Sequence, residues 1–290
     1  MTSDNPMTSG DMTSGNPRIV WFNGSLLAED QVRISPFDHG WLVGDAVFET
    51  LTIVRGMPFA ARRHLERLNR SAEPLGIAVP DTGTLREAMI SVATANGLRE
   101  GRLRITVSSG TGPLGSDRGT GPPTVTVAAG EQTPWPLTTA VATVDWTINE
   151  RGPLAGLKTV SYGANVRALA SAKAVGAGEA VLANTRGMLC EGTGSNVFLV
   201  HQGRLITPSL ASGCLAGITR QLVMELTGAT EQDVPIGMLA SAGEAFLTST
   251  TRDVQGIHAV DGHPMAPAPG PITIAAAQAF AELKAGNLDP

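Results

Sequence analysis

The sequence predicts an α+β chain of two domains, and three observations carry that expectation. Two hairpin signals stand close together near the start, segments of helical spacing follow and alternate with β-rich runs, and a polar stretch with two prolines interrupts the chain near its middle. At 290 residues and 42% apolar composition the chain can bury a substantial core, and that size suits two modest domains.

Residues 1–17 repeat Met-Thr-Ser three times without apolar periodicity, so a disordered extension is expected there. From Arg18 onward "RIVWFNGSLL" sets Asn23-Gly24 between two apolar runs, and "AVFETLTIVRGMPF" repeats the device with Arg55-Gly56. "ARRHLERLNRSAEPLGI" places Leu65, Leu68 and Ala72 on one face of a helix that ends near Pro74. A second helix, "LREAMISVATANGL", stops at Asn96-Gly97, where glycine suits a helix C-terminus. The β-rich strands "GRLRITVSSG" and "PPTVTVAAG" flank the loop "TGPLGSDRGTG" and complete a first domain over residues 18–130. Residues 131–139 read as a linker and 140–290 as a larger second domain. That half is expected to hold a strand near 140–148, a helix near 163–176, and strands at "EAVLAN", "NVFLV" and "RLITP". The helix "ITRQLVMELTG", the strand "EAFLTST" and a last helix near 272–285, packing at the surface, follow.

Composition narrows the function. With 16% charged residues and a net charge of −5 there is no basic stripe for a phosphate backbone, which argues against nucleic acid. No apolar run reaches membrane-spanning length and no basic-then-apolar leader stands at the start, so a cytoplasmic protein without a membrane partner is expected. Cys190 and Cys214 have neither CxxC nor Cys/His spacing; they read as reduced, buried thiols, and no metal site is expected.

Four stretches of the second half are polar beyond the needs of packing. Lys158 precedes the only tyrosine, Tyr162, by four residues; Glu191 sits in "CEGTGSN"; "LAGITR" puts a glycine before a helix; and "TSTTRD" ends a strand. At that helix start Ile218 and Thr219 would present unpaired backbone N–H groups to an anion. Each feature alone has a plainer explanation, a surface charge, a turn carboxylate, an ordinary helix start or an exposed Thr/Ser-rich strand. Together they supply a lysine for imine formation, an acid for a ring nitrogen and donors for a phosphate, the parts of a pyridoxal phosphate site.

In order and wording, "FDHGWLVGDAVFET", "HLERLNRSAEPLGI", "LKTVSY", "CEGTGSNVFLV", "RLITPSLASGCLAGITR" and "FLTSTTRDV" resemble the class IV, fold type IV, pyridoxal-phosphate aminotransferases over about residues 18–265. That group holds branched-chain and D-amino acid aminotransferases and aminodeoxychorismate lyase. The resemblance implies a small N-terminal α/β domain, a larger C-terminal domain of mixed sheet or barrel form, and a homodimer whose neighbouring subunit closes the site. It also implies pyridoxal 5'-phosphate as cofactor and Lys158 as the catalytic, imine-forming residue. Arg67, the N–H groups of Ile218 and Thr219, and the Thr250 hydroxyl match the phosphate ligands, Glu191 the partner of the pyridine nitrogen, and Tyr162 a partner of the phenolic oxygen. Without the resemblance, Arg67 would be read as a solvated arginine on an amphipathic helix.

For the substrate, Phe48, Arg104 and the Thr251 N–H match substrate-facing positions, although Arg104 reads equally as an outward-facing strand residue. Where well-known D-amino acid aminotransferases carry an Arg/His pair, this chain has Leu114 and Ser116, and the several tyrosines of the branched-chain pocket are missing. The expected reaction is transfer of an amino group to a 2-oxo acid, with a D-amino acid or (R)-amine as the preferred donor. Aminodeoxychorismate lyase and a branched-chain L-amino acid aminotransferase are the alternatives, and a cofactor-binding protein without turnover is a possibility outside catalysis.

Overall fold

Asn23-Gly24 and Arg55-Gly56 both turn through the left-handed region, with φ of 45° and 97° in the first pair and 53° and 81° in the second. These are the backbone settings of tight hairpins. In the computed structural model, which describes residues 17–290, they join β1 (Ile19–Phe22) to β2 (Ser25–Ala28) and β3 (Ala46–Val54) to β4 (Met57–Pro58). Apart from Pro17, the expected N-terminal extension lies outside the described residues. With β5 (Gly101–Ser108) and β6 (Thr124–Gly130) these strands form an antiparallel sheet of order β2-β1-β6-β5-β3-β4. A single helical turn, α1 (His39–Leu42), precedes β3, and α2 (Ala61–Ala72) and α3 (Thr82–Ala95) cover one face of the sheet.

Val47, Leu51 and Ile53 alternate along β3 and meet Leu65 and Leu68 of α2 and Met89 and Val92 of α3 in one buried cluster. The intervening residues Phe48 and Thr50 face the other side, toward the cavity described below.

The second sheet is mixed. Its strands are β7 (Thr138–Thr143), β8 (Glu179–Ala183), β9 (Leu189–Gly192), β10 (Asn196–His201), β11 (Arg204–Thr207), β12 (Thr230–Glu231), β13 (Ala245–Ser249), β14 (Asp253–Val260) and β15 (His263–Pro264). Their order is β12-β11-β10-β13-β14-β7-β8-β9, with β15 on β14. Three helices accompany them: α4 (Gly163–Ala174), α5 (Ile218–Thr227) and α6 (Pro271–Gly286). β7 already begins at Thr138, because Thr138 and Thr139 pair with Gly256 and Ile257, so the end of the expected linker is strand.

The last helix packs at the surface, as expected, and buries one face. Phe280 is 1% exposed and meets Phe59 edge-on at 6.0 Å, so α6 seals the cluster formed by α5 and β13. Both cysteines are free and buried, as expected. Among the described residues no helix is long and apolar enough to cross a membrane, and no cluster of His, Cys, Asp and Glu could hold a metal.

Candidate active site

Lys158 sits in the irregular segment between β7 and α4, and two strangers to that segment hold its backbone. The Phe48 N–H donates to the Lys158 carbonyl at 3.0 Å, and the Lys158 N–H donates to Ser71 Oγ at 3.1 Å. The lysine is therefore fixed by β3 and α2 of the first sheet. Its ammonium lies 4.4 Å from the centre of the Phe48 ring and 5.9 Å from that of Tyr162. Burial, aided by the nearby Arg67 charge, pushes its pKa down to about 8.

Tyr162 occupies the N-cap of α4 and meets Phe48 edge-on, with ring centres 5.2 Å apart. Burial and then the neighbouring Glu191 push its phenol up to about 12. Glu191 stands on β9, where burial raises its carboxyl to about 7 against the Leu215 N–H, which donates to Oε2 at 2.9 Å and favours the charged form. Lys158 and Glu191 are thus both drawn toward neutrality by the same enclosure.

Leu215 links this region to the start of α5. Its carbonyl accepts from Asn196 Nδ2 at 2.8 Å and from the Gly217 N–H at 2.8 Å, while its N–H is held by Glu191. Gly217 caps α5 without a side-chain acceptor, and the N–H groups of Ile218 and Thr219 meet no acceptor among the described residues. A Cβ at Gly217 would run into the Asn196 carboxamide oxygen, so only glycine fits this approach.

Arg67 bridges the first sheet to the same helix end. Its Nε and NH2 donate to the two oxygens of Glu49 at 2.7 and 2.8 Å, and its NH1 donates to the Ala216 carbonyl at 2.9 Å. His64 Nδ1 completes the buried group at 2.7 Å from Glu49 Oε2. Arg67 holds the Glu49 carboxyl well below the usual carboxylate range despite its burial, and burial lowers His64. Thr52 Oγ1 donates to the Thr250 carbonyl at 2.8 Å and brings the turn after β13 against the first sheet.

On the open side of the first sheet, the Arg104 guanidinium stacks 3.7 Å from the centre of the Phe48 ring. Its Nε donates to Thr106 Oγ1 at 3.2 Å, and no carboxylate of the described residues pairs with it. Phe48, Arg67, Arg104, Lys158, Tyr162, Glu191, Ile218, Thr219, Thr250 and Thr251, all the residues singled out by sequence, line one cavity of about 1120 Å³. Leu114 and Ser116 do not line it.

The donor set suits a phosphorylated pyridoxal: unpaired helix N–H groups beside an arginine for an oxyanion, a lysine of lowered pKa, and a carboxyl for a basic ring nitrogen. Sequence reading missed the supports of this arrangement. Glu49 and His64 were not singled out, nor was Asn165, whose Nδ2 donates to the Thr193 carbonyl at 2.8 Å. Glu179 was also missed; it is 1% exposed and accepts from Thr193, from Ser195 Oγ at 3.1 Å and from Arg252 NH2 at 3.3 Å. It joins the loop beyond Glu191 to the turn that carries Thr251.

The chain belongs to the class IV amino-transferases, whose family model matches residues 46–260. It is 33% identical over 84% of its length, and 88% of the relative, to a Methanocaldococcus jannaschii protein named for branched-chain-amino-acid aminotransferase activity. The D-alanine aminotransferase of Bacillus licheniformis is 30% identical, covering 88% of this chain and 93% of that one. The aminodeoxychorismate lyase of Bacillus subtilis is 29% identical, covering 81% and 84%.

Among solved structures, the branched-chain aminotransferase of Thermoproteus uzoniensis with norvaline superposes with a TM-score of 0.86 at 28% identity, over 91% of this chain and 94% of that one. A T.th. branched-chain aminotransferase complexed with N-(5'-phosphopyridoxyl)-L-glutamate gives 0.87 at 26%, over 93% and 95%. The fold is accordingly that of the fold type IV enzymes, and the protein is a pyridoxal-phosphate-dependent transaminase.

Proposed function

We propose that the protein transfers the amino group of a branched or otherwise apolar L-amino acid to a 2-oxo acid. The observation that carries the chemistry is the single cavity in which Lys158, Glu191 and the bare start of α5 face one another. In this reading Arg67, the N–H groups of Ile218 and Thr219, and the Thr250 hydroxyl hold the cofactor phosphate, Glu191 pairs with the ring nitrogen, and Tyr162 meets the phenolic oxygen. When bound, the cofactor supplies a carbonyl carbon for imine chemistry and a ring that withdraws electrons from the substrate Cα. Lys158 would be the imine partner of that carbonyl carbon and, as a neutral amine, would take the proton from the substrate Cα. Glu191 keeps a proton on the ring nitrogen, and the cation beside it favours the ionised carboxylate.

Substrate choice rests on the opposite wall. Phe48 and Tyr162 offer an apolar edge-to-face surface for a side chain, the Thr251 N–H is the candidate donor for the α-carboxylate, and Arg104 is a carboxylate partner for acidic substrates. The sequence favoured a D-amino acid or (R)-amine donor because the branched-chain tyrosines are missing. Leu114 and Ser116 give that reading no cation, and the names of several relatives and structural neighbours weigh toward branched-chain substrates. Likeness to the lyase of Bacillus subtilis supports a second reading, release of 4-aminobenzoate and pyruvate from aminodeoxychorismate.

We also propose two domains, 18–130 and 140–290, joined by 131–139 with the site between them, in a homodimer. The separate sheets support the division, and Phe37, Trp41, Val43 and Leu114, large apolar side chains left exposed near the start of β3 and in the loop after β5, support the dimer. The deciding experiment is a half-reaction panel of L-leucine, L-glutamate, D-alanine, (R)-1-phenylethylamine and aminodeoxychorismate, followed by loss of cofactor colour and by 4-aminobenzoate release. Fast L-leucine turnover is expected. Reaction with D-alanine alone would restore the D-specific reading, and 4-aminobenzoate without transamination would make the protein a lyase.

A further inference from the structure

Most buried hydroxyls of the described residues are paired. Thr52 donates to the Thr250 carbonyl at 2.8 Å, Thr207 to the Val197 carbonyl at 2.8 Å, and Thr273 to Glu244 at 3.0 Å. Thr248 is different: it is 1% exposed, yet its Oγ1 has no hydrogen-bond partner among the described residues. An unpaired buried hydroxyl is costly and calls for a physical reason. Three other buried side-chain atoms of the described residues lack partners, on Ser109, Gln132 and Arg220, but only Thr248 belongs to the wall of the active-site cavity.

Strand alternation explains where it faces. Phe246, two residues earlier on β13, packs with Ile218, Leu222 and Val223 of α5, so Thr248 shares the face that α5 covers. Its strand neighbour across the sheet is Asn196, the side chain over which Gly217 is pressed. Thr248 therefore stands on the sheet below the start of α5, where the Ile218 and Thr219 N–H groups are also without acceptors. Staggered settings of a threonine differ by one rotation about χ1, which carries the hydroxyl to a position that the methyl or the hydrogen held before. One such step can present the hydroxyl to an oxyanion seated at the helix end.

We propose that Thr248 is a further ligand of the cofactor phosphate, donating its hydroxyl to an oxyanion held at the N-terminus of α5. This rests on the cofactor reading above and adds a donor from the floor of the site to those of the helix and Arg67. The orphaned hydroxyl and the orphaned helix N–H groups are then satisfied by the same group, and the site discriminates for a dianionic ester over the free alcohol.

The test uses the whole chain and two probes, pyridoxal 5'-phosphate and pyridoxal, with Thr248→Val as isosteric variant and Thr248→Ser as the conservative one. Equilibrium titration of aldehyde absorbance should show Thr248→Val binding the phosphate ester roughly tenfold to a hundredfold more weakly, the size of a hydrogen bond to a charged group. Pyridoxal affinity should stay unchanged, Thr248→Ser should restore the ester's affinity, and the phosphorus resonance of the bound ester should move in Thr248→Val. Ester affinity equal to that of the wild type would overturn the proposal. So would an equal loss for ester and pyridoxal, which would assign the hydroxyl to the fold. If Thr248→Val does not fold, Thr248→Ala replaces it as the variant without a hydroxyl, and an unmoved phosphorus resonance in Thr248→Ala counts against the proposal. Failure of the wild-type protein to bind either probe would instead overturn the cofactor reading and this proposal with it.

Discussion

Capture of pyridoxal by the apoprotein should accelerate as pH rises, following a titration centred at about 8, because the neutral amine of Lys158 is the nucleophile. A lysine at the ordinary 10.5 is neutral in about one molecule in 3,000 at about pH 7; at about 8 the fraction is about one in ten. The enclosure is therefore worth roughly 300-fold in reactive amine at that pH. Burial is the largest cause and the Arg67 charge the next, so Arg67→Gln should move the midpoint upward; Glu49, left without its arginine, pushes the same way. Pyridoxal is the suitable probe because, lacking a phosphate, it separates the lysine effect from the loss of an anion ligand.

The assay is stopped-flow absorbance from about pH 6 to about pH 10, with Lys158→Ala as blank. The same shift has a stability signature. Between about 8 and 10.5 the unfolded chain holds a proton that the folded lysine has lost, so apoprotein stability from this group rises with pH there, and the penalty of burying the charge is fully present below about 8. A capture midpoint near 10.5 in folded apoprotein would refute the reasoning, since it would leave the ammonium as well solvated as in free lysine.

Three further outcomes follow from the same geometry. Glu191→Gln should retain cofactor but slow proton removal from Cα by roughly a hundredfold or more, as judged by single-turnover spectra, because an amide cannot balance a protonated ring nitrogen. Arg104→Ala should raise KM for L-glutamate roughly tenfold to a hundredfold while changing that of (R)-1-phenylethylamine little; equal effects would remove its carboxylate role. Light scattering should give the mass of a dimer, and a fully active monomer would contradict the homodimer.

Hairpins and helices were legible because their signals are local. Asn23-Gly24 and Arg55-Gly56 specify left-handed turns, and the spacing of Leu65, Leu68 and Ala72 defines the buried face of α2. The cavity residues were legible only as a set, through the resemblance, since nothing near Lys158 in the chain shows that Phe48 and Ser71 will hold its backbone. Glu49 did leave a signal: in "AVFETLTIV" it falls in phase with Val47, Leu51 and Ile53, and a carboxylate on a core face requires a cation. His64 and Arg67, three residues apart on α2, answer it. That same pairing buries Arg67, which helical spacing alone would leave in solvent. Thr248 gave no such sign, because its interest lies in a missing partner, and only packing decides which threonines go unpaired.

The central claim is that Lys158, among the three lysines of the chain, forms the imine with pyridoxal 5'-phosphate. Borohydride reduction of the loaded protein followed by peptide mass mapping tests it directly. The account predicts a pyridoxyl group on the peptide containing Lys158 and loss of cofactor colour in Lys158→Ala. A label on Lys173 or Lys284 with Lys158 unmodified would contradict it.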